Sequence, residues 1–156
     1  MSKDDFDPKG VIPACVMPFN AQLEIDESAY RRHLRDLVGV DGVTAITVNG
    51  HAAEVHALSF EEQRRGIQIA RDEVTEKVPL VAGIYTSDTR EACRLATMAA
   101  TAGADALLVF PSEVLAMGGQ LHSDCARAHI GAIAESTELP LILFQYPMTG
   151  GLGYPL

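Results

Sequence analysis

The sequence predicts an α/β fold in which buried parallel strands alternate with amphipathic helices. Short runs of apolar and β-branched residues recur along the 156-residue chain, and segments with helical period separate them. Helix-capping residues lie in the turns between the two kinds of segment. Because the apolar runs are continuous, they are typical of strands covered on both faces, as in a parallel sheet.

Five strands and four helices are predicted in strict alternation. The strands are expected at residues 11–17, 43–48, 78–84, 105–110 and 139–144, and the helices at 27–38, 60–75, 88–102 and 122–136. Ser59 and Glu62 have the spacing of a capping box at the start of the second helix. Ser87 or Asp88 is positioned to cap the third helix, and Gly103 lies where that helix is expected to stop.

This alternation is compatible with two folds, the open doubly wound sheet and the (β/α)8 barrel. A dinucleotide-binding sheet is disfavoured because residues 17–26, which follow the first strand, contain no glycine and no GxGxxG motif. A (β/α)8 barrel needs about 250 residues, so five strands represent a little over half of one. We expect residues 10–156 to form the N-terminal portion of a barrel, after a polar tail at residues 1–9.

Charge and hydropathy exclude several classes of function. The formal net charge is −9 and no basic stripe offsets it, which disfavours binding to nucleic acid or to an anionic membrane surface. No run approaches the roughly 18 consecutive apolar residues of a membrane span, and the acidic N-terminus is unlike a signal peptide. We therefore expect a cytoplasmic protein. Cys15, Cys93 and Cys125 are odd in number and widely spaced, so we expect them to be buried free thiols.

Four segments carry a resemblance to a known family. They are GVIPACVMPFNAQLEID, the glycine and glutamate of NGHAAEVHALSFEEQRR, VPLVAGIYTSDTREACRLATMAATAGADALLVFP, and LPLILFQYPMTGG. In order and spacing they resemble the dihydrodipicolinate synthase and N-acetylneuraminate lyase family, from about residue 10 to the C-terminus. The resemblance implies a (β/α)8 barrel, a lysine Schiff base with a 2-keto acid such as pyruvate, no cofactor, and in many members a homotetramer.

The stretch VNGHAAEVH follows the second predicted strand. Loops after parallel strands converge at one end of a barrel, so this stretch is expected at the pocket mouth. In the family, hydroxyl residues of the matching loop bind the carboxylate of the keto acid. Here His51 and Ala52 occupy the hydroxyl positions beside Gly50, and the family glutamate is kept as Glu54. The resemblance therefore predicts Gly50, His51 and Ala52 as substrate-binding residues and Glu54 as a structural one.

Two alternatives remain for the histidines of this stretch. Imidazole and carboxylate groups are good metal ligands, so His51, Glu54 and His56 are a candidate metal site. Alternatively, His51 only fills the pocket mouth and His56 is solvated. Residues 49–58 are expected to be a long loop without helical spacing.

The segment FQYP at the end of the fifth predicted strand is the other informative site. Phe144 occupies the position where the family usually has a proton-shuttling tyrosine. Tyr146 is two residues further and by strand period can face the same side, which makes it the candidate substitute; alternatively its ring packs beside Pro147. Thr149 stands where synthases often have an arginine for a carboxylate. Glu113, near a position that carries tyrosines in many synthases, is either a pocket acid or a solvated charge.

The family's Schiff-base lysine lies at the end of the sixth strand, beyond Leu156. The lysines of this sequence are Lys3, Lys9 and Lys77, and none follows a predicted strand. We expect the chain to be part of a longer protein, inactive alone and completed by the C-terminal half of the barrel. The rival interpretation is a noncatalytic barrel that binds a small ligand or a partner, and a metal-dependent aldolase is third.

Overall fold

The computed structural model describes residues 6–7, 9–74, 78–147 and 153–154, apart from the side chains of Met117 and Gln120. Within these ranges one sheet is formed by β1 (Ile46–Val48), β2 (Leu80–Ile84), β3 (Ala106–Val109) and β4 (Leu141–Leu143). The α-helices in the same ranges are α1 (Glu27–Val38), α2 (Phe60–Val74), α3 (Thr89–Ala102) and α4 (Ser123–Glu135).

The helices begin and end at their capping residues. The Asp26 side chain caps α1, and Asp88, one of the two candidates, caps α3 by accepting from two backbone N–H groups. Ser59 and Glu62 form the predicted capping box, with the Ser59 N–H donating to the Glu62 carboxylate at 2.8 Å. Gly103 ends α3 with a left-handed φ of 104°, which a glycine adopts without steric cost.

The sheet has the topology of a barrel wall. Its strands are all parallel and neighbour one another in chain order, β1-β2-β3-β4. The helix α2 packs against α1 and α3, and α3 packs against α4. A doubly wound sheet would reverse its strand order and place helices on both faces. The sequential order confirms the predicted α/β fold, a partial (β/α)8 barrel.

The two faces of the sheet have different neighbours. On one face, alternate strand residues join the helices in the main core; they include Ile46, Val48, Leu80, Ala82, Ile84, Leu107 and Val109. On the other, a smaller cluster contains Ala45, Val81 and Ala106, packed against Phe6, Ile12, Leu108 and Ile142. Within the described ranges no residue of α1–α4 belongs to this second cluster. We call its side the inner face, because a closed barrel encloses it.

The first predicted strand, at residues 11–17, is wrong as a continuous strand. The segment makes two isolated parallel bridges to the neighbourhood of β1, at Val11 and at Ala14. Pro13 lies between them and has no N–H to donate, although its carbonyl accepts from the Thr47 N–H at 2.9 Å. The segment therefore follows β1 without a regular ladder.

The remaining predicted strands and helices are confirmed, with ends that differ by no more than three residues. The predicted end of the second helix, at residue 75, lies outside the described residues. In the part of the chain that the structure describes, no helix has the length and apolar character needed to cross a membrane.

The cysteines are less uniform than predicted. Cys15 is buried, Cys93 is half-buried and Cys125 is exposed. Cys125 lies on α4, whose buried positions are Ala126 and Ile133, so the helical period turns the thiol toward solvent. The prediction of buried thiols holds for Cys15, where burial raises the thiol pKa to about 12.

Candidate functional site

A cluster of aromatic rings lies at the carboxyl ends of the strands. Tyr85, Phe110 and Phe144 directly follow β2, β3 and β4, and His51 lies in the turn after β1. The strand period turns these positions toward the inner face, away from the helices. We call the set the ring cluster; its members are His51, Tyr85, Phe110, Phe144 and Tyr146.

His51 is at the centre of the ring cluster. Its ring stacks on Phe110 with centroids 4.2 Å apart, meets Tyr85 edge-on at 5.0 Å, and stacks on Tyr146 at 5.9 Å. Phe144 lies 4.9 Å from Phe110 and 4.9 Å from Tyr146. These separations are within the roughly 4.5–7 Å over which aromatic rings attract, or slightly closer. The imidazole is therefore held in one orientation by its neighbours.

The imidazole of His51 and the hydroxyl of Tyr146 form a hydrogen bond between Nε2 and the phenolic oxygen. Burial among the rings lowers the pKa of His51 below its usual 6.5, and the neighbouring His56 lowers it further. Burial, together with the Glu113 carboxylate, raises the pKa of Tyr146 above 10. At neutral pH the tyrosine is therefore protonated and donates, and the neutral imidazole accepts. The pair can pass a proton in either direction.

A second hydrogen bond joins Tyr85 and Glu113. The Tyr85 hydroxyl donates to Glu113 Oε1 at 2.5 Å, and the Ser87 hydroxyl accepts from the Glu113 backbone N–H at 3.2 Å. The bond to the carboxylate, with burial, raises the pKa of Tyr85 to about 12. The Glu113 side chain is exposed, and its carboxylate contacts the ring cluster through Tyr85. A role for Glu113 as a pocket acid stays a prediction.

A cavity of about 220 Å³ lies against the ring cluster on the inner face. Its lining contains Gly50, His51 and Ala52 from the turn after β1, Phe110 and Phe144 from the ring cluster, and Ile12, Ala14, Thr47 and Leu108. The backbone N–H groups of His51 and Ala52 have no hydrogen-bond acceptor among the described residues. Two amide donors thus remain free for an anionic group.

The backbone of the turn after β1 is positioned by Gly83. A Cβ at Gly83 would lie 2.0 Å from the carbonyl oxygen of Asn49, so only glycine allows β2 to approach this closely. Asn49 itself has a left-handed φ of 52°, and its Nδ2 donates to the Gln63 carbonyl of α2 at 3.0 Å. These contacts direct His51, two residues after Asn49, over the inner face.

Residues 49–58 are more regular than the predicted loop. They contain two short 3-10 turns, His51–Ala53 and Val55–Ala57, because Ala53 and Val55 are buried and anchor them. Glu54 joins the turns with a left-handed φ of 54°, and its N–H donates to the His51 carbonyl. Glu54 thus shapes the backbone of the turn while its side chain is exposed.

The metal interpretation of this stretch is not supported. Glu54 and His56 are exposed, whereas the His51 Nε2 atom is hydrogen-bonded to Tyr146. Across the described ranges, no group of three or more His, Cys, Asp or Glu side chains could hold a metal ion.

The remaining sequence-derived candidates fall into three groups. The structure brings Phe144 and Tyr146 to the same side, so the Tyr146 ring contacts His51 and Phe144 as strand period suggested. Glu113 joins them through Tyr85. Thr149 lies outside the described residues.

Two residues of the ring cluster, Tyr85 and Phe110, were not singled out from the sequence except as strand ends. A signal for them was present, because three successive predicted strands are each followed or ended by an aromatic residue at the carboxyl end. Side chains at matching ends of neighbouring parallel strands lie side by side. That pattern was sufficient to predict an aromatic wall.

Comparison with known proteins identifies the family of this chain. The dihydrodipicolinate synthetase family matches residues 7–153. The 4-hydroxy-tetrahydrodipicolinate synthase of Methanopyrus kandleri is 37% identical over 147 residues, which cover 94% of this chain and 47% of the relative. The chain thus spans about half the length of the curated relatives it matches.

Solved structures contain the same barrel wall. Dihydrodipicolinate synthase from Agrobacterium tumefaciens is similar with a TM-score of 0.82 and 31% identity, over 94% of this chain and 48% of that one. A prophage protein of the dihydrodipicolinic acid synthase family from E. coli, in complex with pyruvate, has a TM-score of 0.82 and 26% identity, over 92% and 47%. Because the family match extends over nearly all of its sequence, the chain belongs to the dihydrodipicolinate synthetase family.

Proposed function

We propose that this chain forms the N-terminal half of a lyase or aldolase site that acts on pyruvate or a similar 2-keto acid through a lysine Schiff base. Family membership supports the reaction class, and the E. coli relative in complex with pyruvate supports the ligand class. The observation that carries the proposal is the hydrogen-bonded pair of His51 and Tyr146 beside a small cavity at the strand ends.

The cavity suits a small keto acid. Its volume of about 220 Å³ is below the roughly 300–1,000 Å³ of pockets for drug-sized ligands. The free N–H groups of His51 and Ala52 are donors for the keto acid carboxylate, in place of the hydroxyl groups that the family resemblance implies. Gly50 has no side chain to obstruct that approach.

The proton transfers are assigned to His51 and Tyr146. The lysine amine condenses with the keto carbonyl and releases water, and loss of a C3 proton converts the resulting iminium to an enamine. The enamine electron pair forms a carbon–carbon bond with an aldehyde, whose oxygen takes a proton from Tyr146. Tyr146 takes the C3 proton as its own hydroxyl proton passes to His51 Nε2, and after it has protonated the aldehyde oxygen it recovers a proton from His51, so the pair ends unchanged. Water then hydrolyses the new iminium, which releases the product and the amine.

The lysine itself must come from outside the described residues. Lys9 is at the amino ends of the strands, where its carbonyl accepts from Thr44 Oγ1 at 2.5 Å and its ammonium pairs with Asp7. The ring cluster is at the carboxyl ends. We therefore assign the amine to a later strand of the complete protein, as the sequence resemblance implies. Assembly as a homotetramer and a cytoplasmic location remain predictions.

Reductive trapping tests the proposal. The protein made from the complete coding sequence is incubated with pyruvate and borohydride, and the labelled lysine is located by peptide mass spectrometry. We expect one labelled lysine after a strand beyond Leu156, and no site-specific label on the 156-residue chain alone. Added chelator should leave the yield unchanged, because the mechanism uses no metal.

The contrary result favours a noncatalytic protein. Phe144 in place of the family tyrosine is the observation that supports this second candidate, because a phenyl ring transfers no proton. A complete protein that no 2-keto acid labels, or a native gene that stops directly after Leu156, would contradict the Schiff-base proposal.

A further inference from the structure

We infer that the second reactant at this site is an uncharged aldehyde that carries an aromatic or branched apolar group. The inference rests on the proposed function for the keto acid, and it concerns the ring cluster and the charge of the groups around it. The apolar contacts of the ring cluster and the charge around it can be examined separately from the Schiff base.

The surface beside the keto acid cavity is apolar over most of its extent. Phe110 is only 3% exposed and forms its base, while Phe144 and Tyr146 are half-buried and present part of their rings. His51, at the centre, is exposed. Aromatic faces and edges attract other rings and aliphatic groups, because their contact removes apolar surface from water. A flat or branched apolar substituent therefore fits this wall better than a polyhydroxylated chain.

The charge near the ring cluster is negative. The carboxylate of Glu113 accepts a hydrogen bond from Tyr85. Its negative charge also raises the pKa of Tyr146. No lysine or arginine is among the described residues that line the cavity. Arg35 of α1 binds a carboxylate of the helical layer, that of Glu73 in α2 at 2.8 Å.

Among the described residues that line the cavity, a second carboxylate would therefore find no cationic partner. In the proposed function, the carboxylate of the keto acid accepts from the two free amide groups of the turn, those of His51 and Ala52. An aldehyde with its own carboxylate would approach Glu113 without a cation to offset the repulsion. The site thus selects a neutral aldehyde both by apolar contact and by exclusion of anions.

Competing aldehydes test the inference. The complete protein is given pyruvate with either benzaldehyde or succinic semialdehyde, and kcat/KM is measured for each aldehyde at pH 7. We expect benzaldehyde to be favoured by about fivefold or more, because like-charge repulsion at about 4 Å is worth roughly this factor even in bulk water. Glu113→Gln should reduce the ratio severalfold by removing the repulsion. Glu135→Gln, the same change at the exposed end of α4, is the matched control and should leave the ratio unchanged.

Direct binding separates this inference from the proposed function. Shifts of the Tyr85 and Tyr146 ring signals in NMR spectra report benzaldehyde binding whether or not a Schiff base forms. Pyruvate trapping together with equal or better use of succinic semialdehyde overturns the inference and leaves the proposed function standing. Absence of trapping overturns the proposed function; benzaldehyde binding without succinic semialdehyde binding still supports the ligand class, and no benzaldehyde binding overturns it.

Discussion

The two faces of the sheet use the same strands for different purposes. The helix-facing residues of β1, β2 and β3 are aliphatic and almost completely enclosed, as Leu107 and Val109 are at 0% exposure. The inner face has small or medium side chains along the strands, and then the ring cluster where the strands end. Neighbouring residues such as Leu107 and Leu108 thus belong to different environments because successive side chains of a strand point to opposite faces.

Stability and chemistry are therefore located on different faces of the sheet. Burial of aliphatic side chains between sheet and helices supplies most of the apolar stabilisation and needs no polar group. The inner face can then hold His51, Tyr85 and Tyr146, whose polar atoms pair with one another or with Glu113. Substitutions on the first face should change unfolding, and those on the second should change turnover.

The largest expected effect is on stability, from Leu107→Ala on the helix-facing side. Leu107 is fully enclosed, so its truncation removes apolar contacts and leaves a cavity. We expect a loss of about 2–5 kcal/mol in the free energy of unfolding, measured by urea denaturation. Leu108→Ala, one residue further on the inner face and half-buried, is the matched control and should lose less. Equal losses would contradict the assignment of stability to one face.

Tyr146→Phe separates chemistry from stability on the inner face. The change removes the hydroxyl that bonds to His51 and keeps the ring contacts. Turnover by the complete protein should fall by about 10²-fold or more, the scale for loss of a general acid or base. Tyr30→Phe is the matched control, because Tyr30 is a buried residue of α1 and its hydroxyl has no partner among the described residues. An unchanged rate in Tyr146→Phe would remove this residue from the mechanism.

Gly83→Ala tests whether β2 positions the turn that carries His51. The added methyl group would overlap the Asn49 carbonyl oxygen, so the turn must move. We expect a loss of about 1–3 kcal/mol in stability, as in other overpacked cores, together with a higher KM for pyruvate. Gly131→Ala on α4 meets no atom within 4 Å and should stabilise by roughly 0.5–1 kcal/mol, since alanine favours helix. An unchanged KM in Gly83→Ala would show that the turn is held by other contacts.

The smallest expected effect is a shift of the pH profile. Protonated His51 cannot accept from Tyr146, so kcat/KM should rise with pH through the His51 pKa, below 6.5, and stay level at neutral pH. It should decline only above pH 10, where Tyr146 loses its proton. His56→Gln removes a neighbouring positive charge that lowers the His51 pKa, so the acid limb should move to higher pH. An acid limb with its midpoint above 6.5 in the unaltered protein is incompatible with His51 as the acceptor.

Local patterns of sequence predicted most of the fold. The capping box of Ser59 and Glu62, the cap at Asp88 and the stop at Gly103 lie within a few residues of the backbone groups they satisfy. The prediction of the first strand was wrong because it rested on the apolar run alone. Pro13, within that run, has no N–H to donate to the ladder. A ladder depends on the pairing of two segments, whereas a capping box depends on one.

The site was predicted in part for the same reason. The turn with Gly50, His51 and Ala52 was placed at the strand ends from the alternation of elements alone. The contact between His51 and Tyr146 joins residues 95 positions apart, and no spacing in the sequence indicates it. The bond between Tyr85 and Glu113 spans 28 positions and was also not predicted.

The sequence predicted the order of elements and the approximate helix ends, and strand period indicates which residues of one strand share a side, because periodicity and capping act over a few residues. It also contained the family resemblance. Which strand ends meet depends on the tertiary structure, and so do the contacts of His51 with rings at three other strand ends and its bond to Tyr146. Pairing of strands across loops and helices creates such contacts, so they exist only once the sheet has formed.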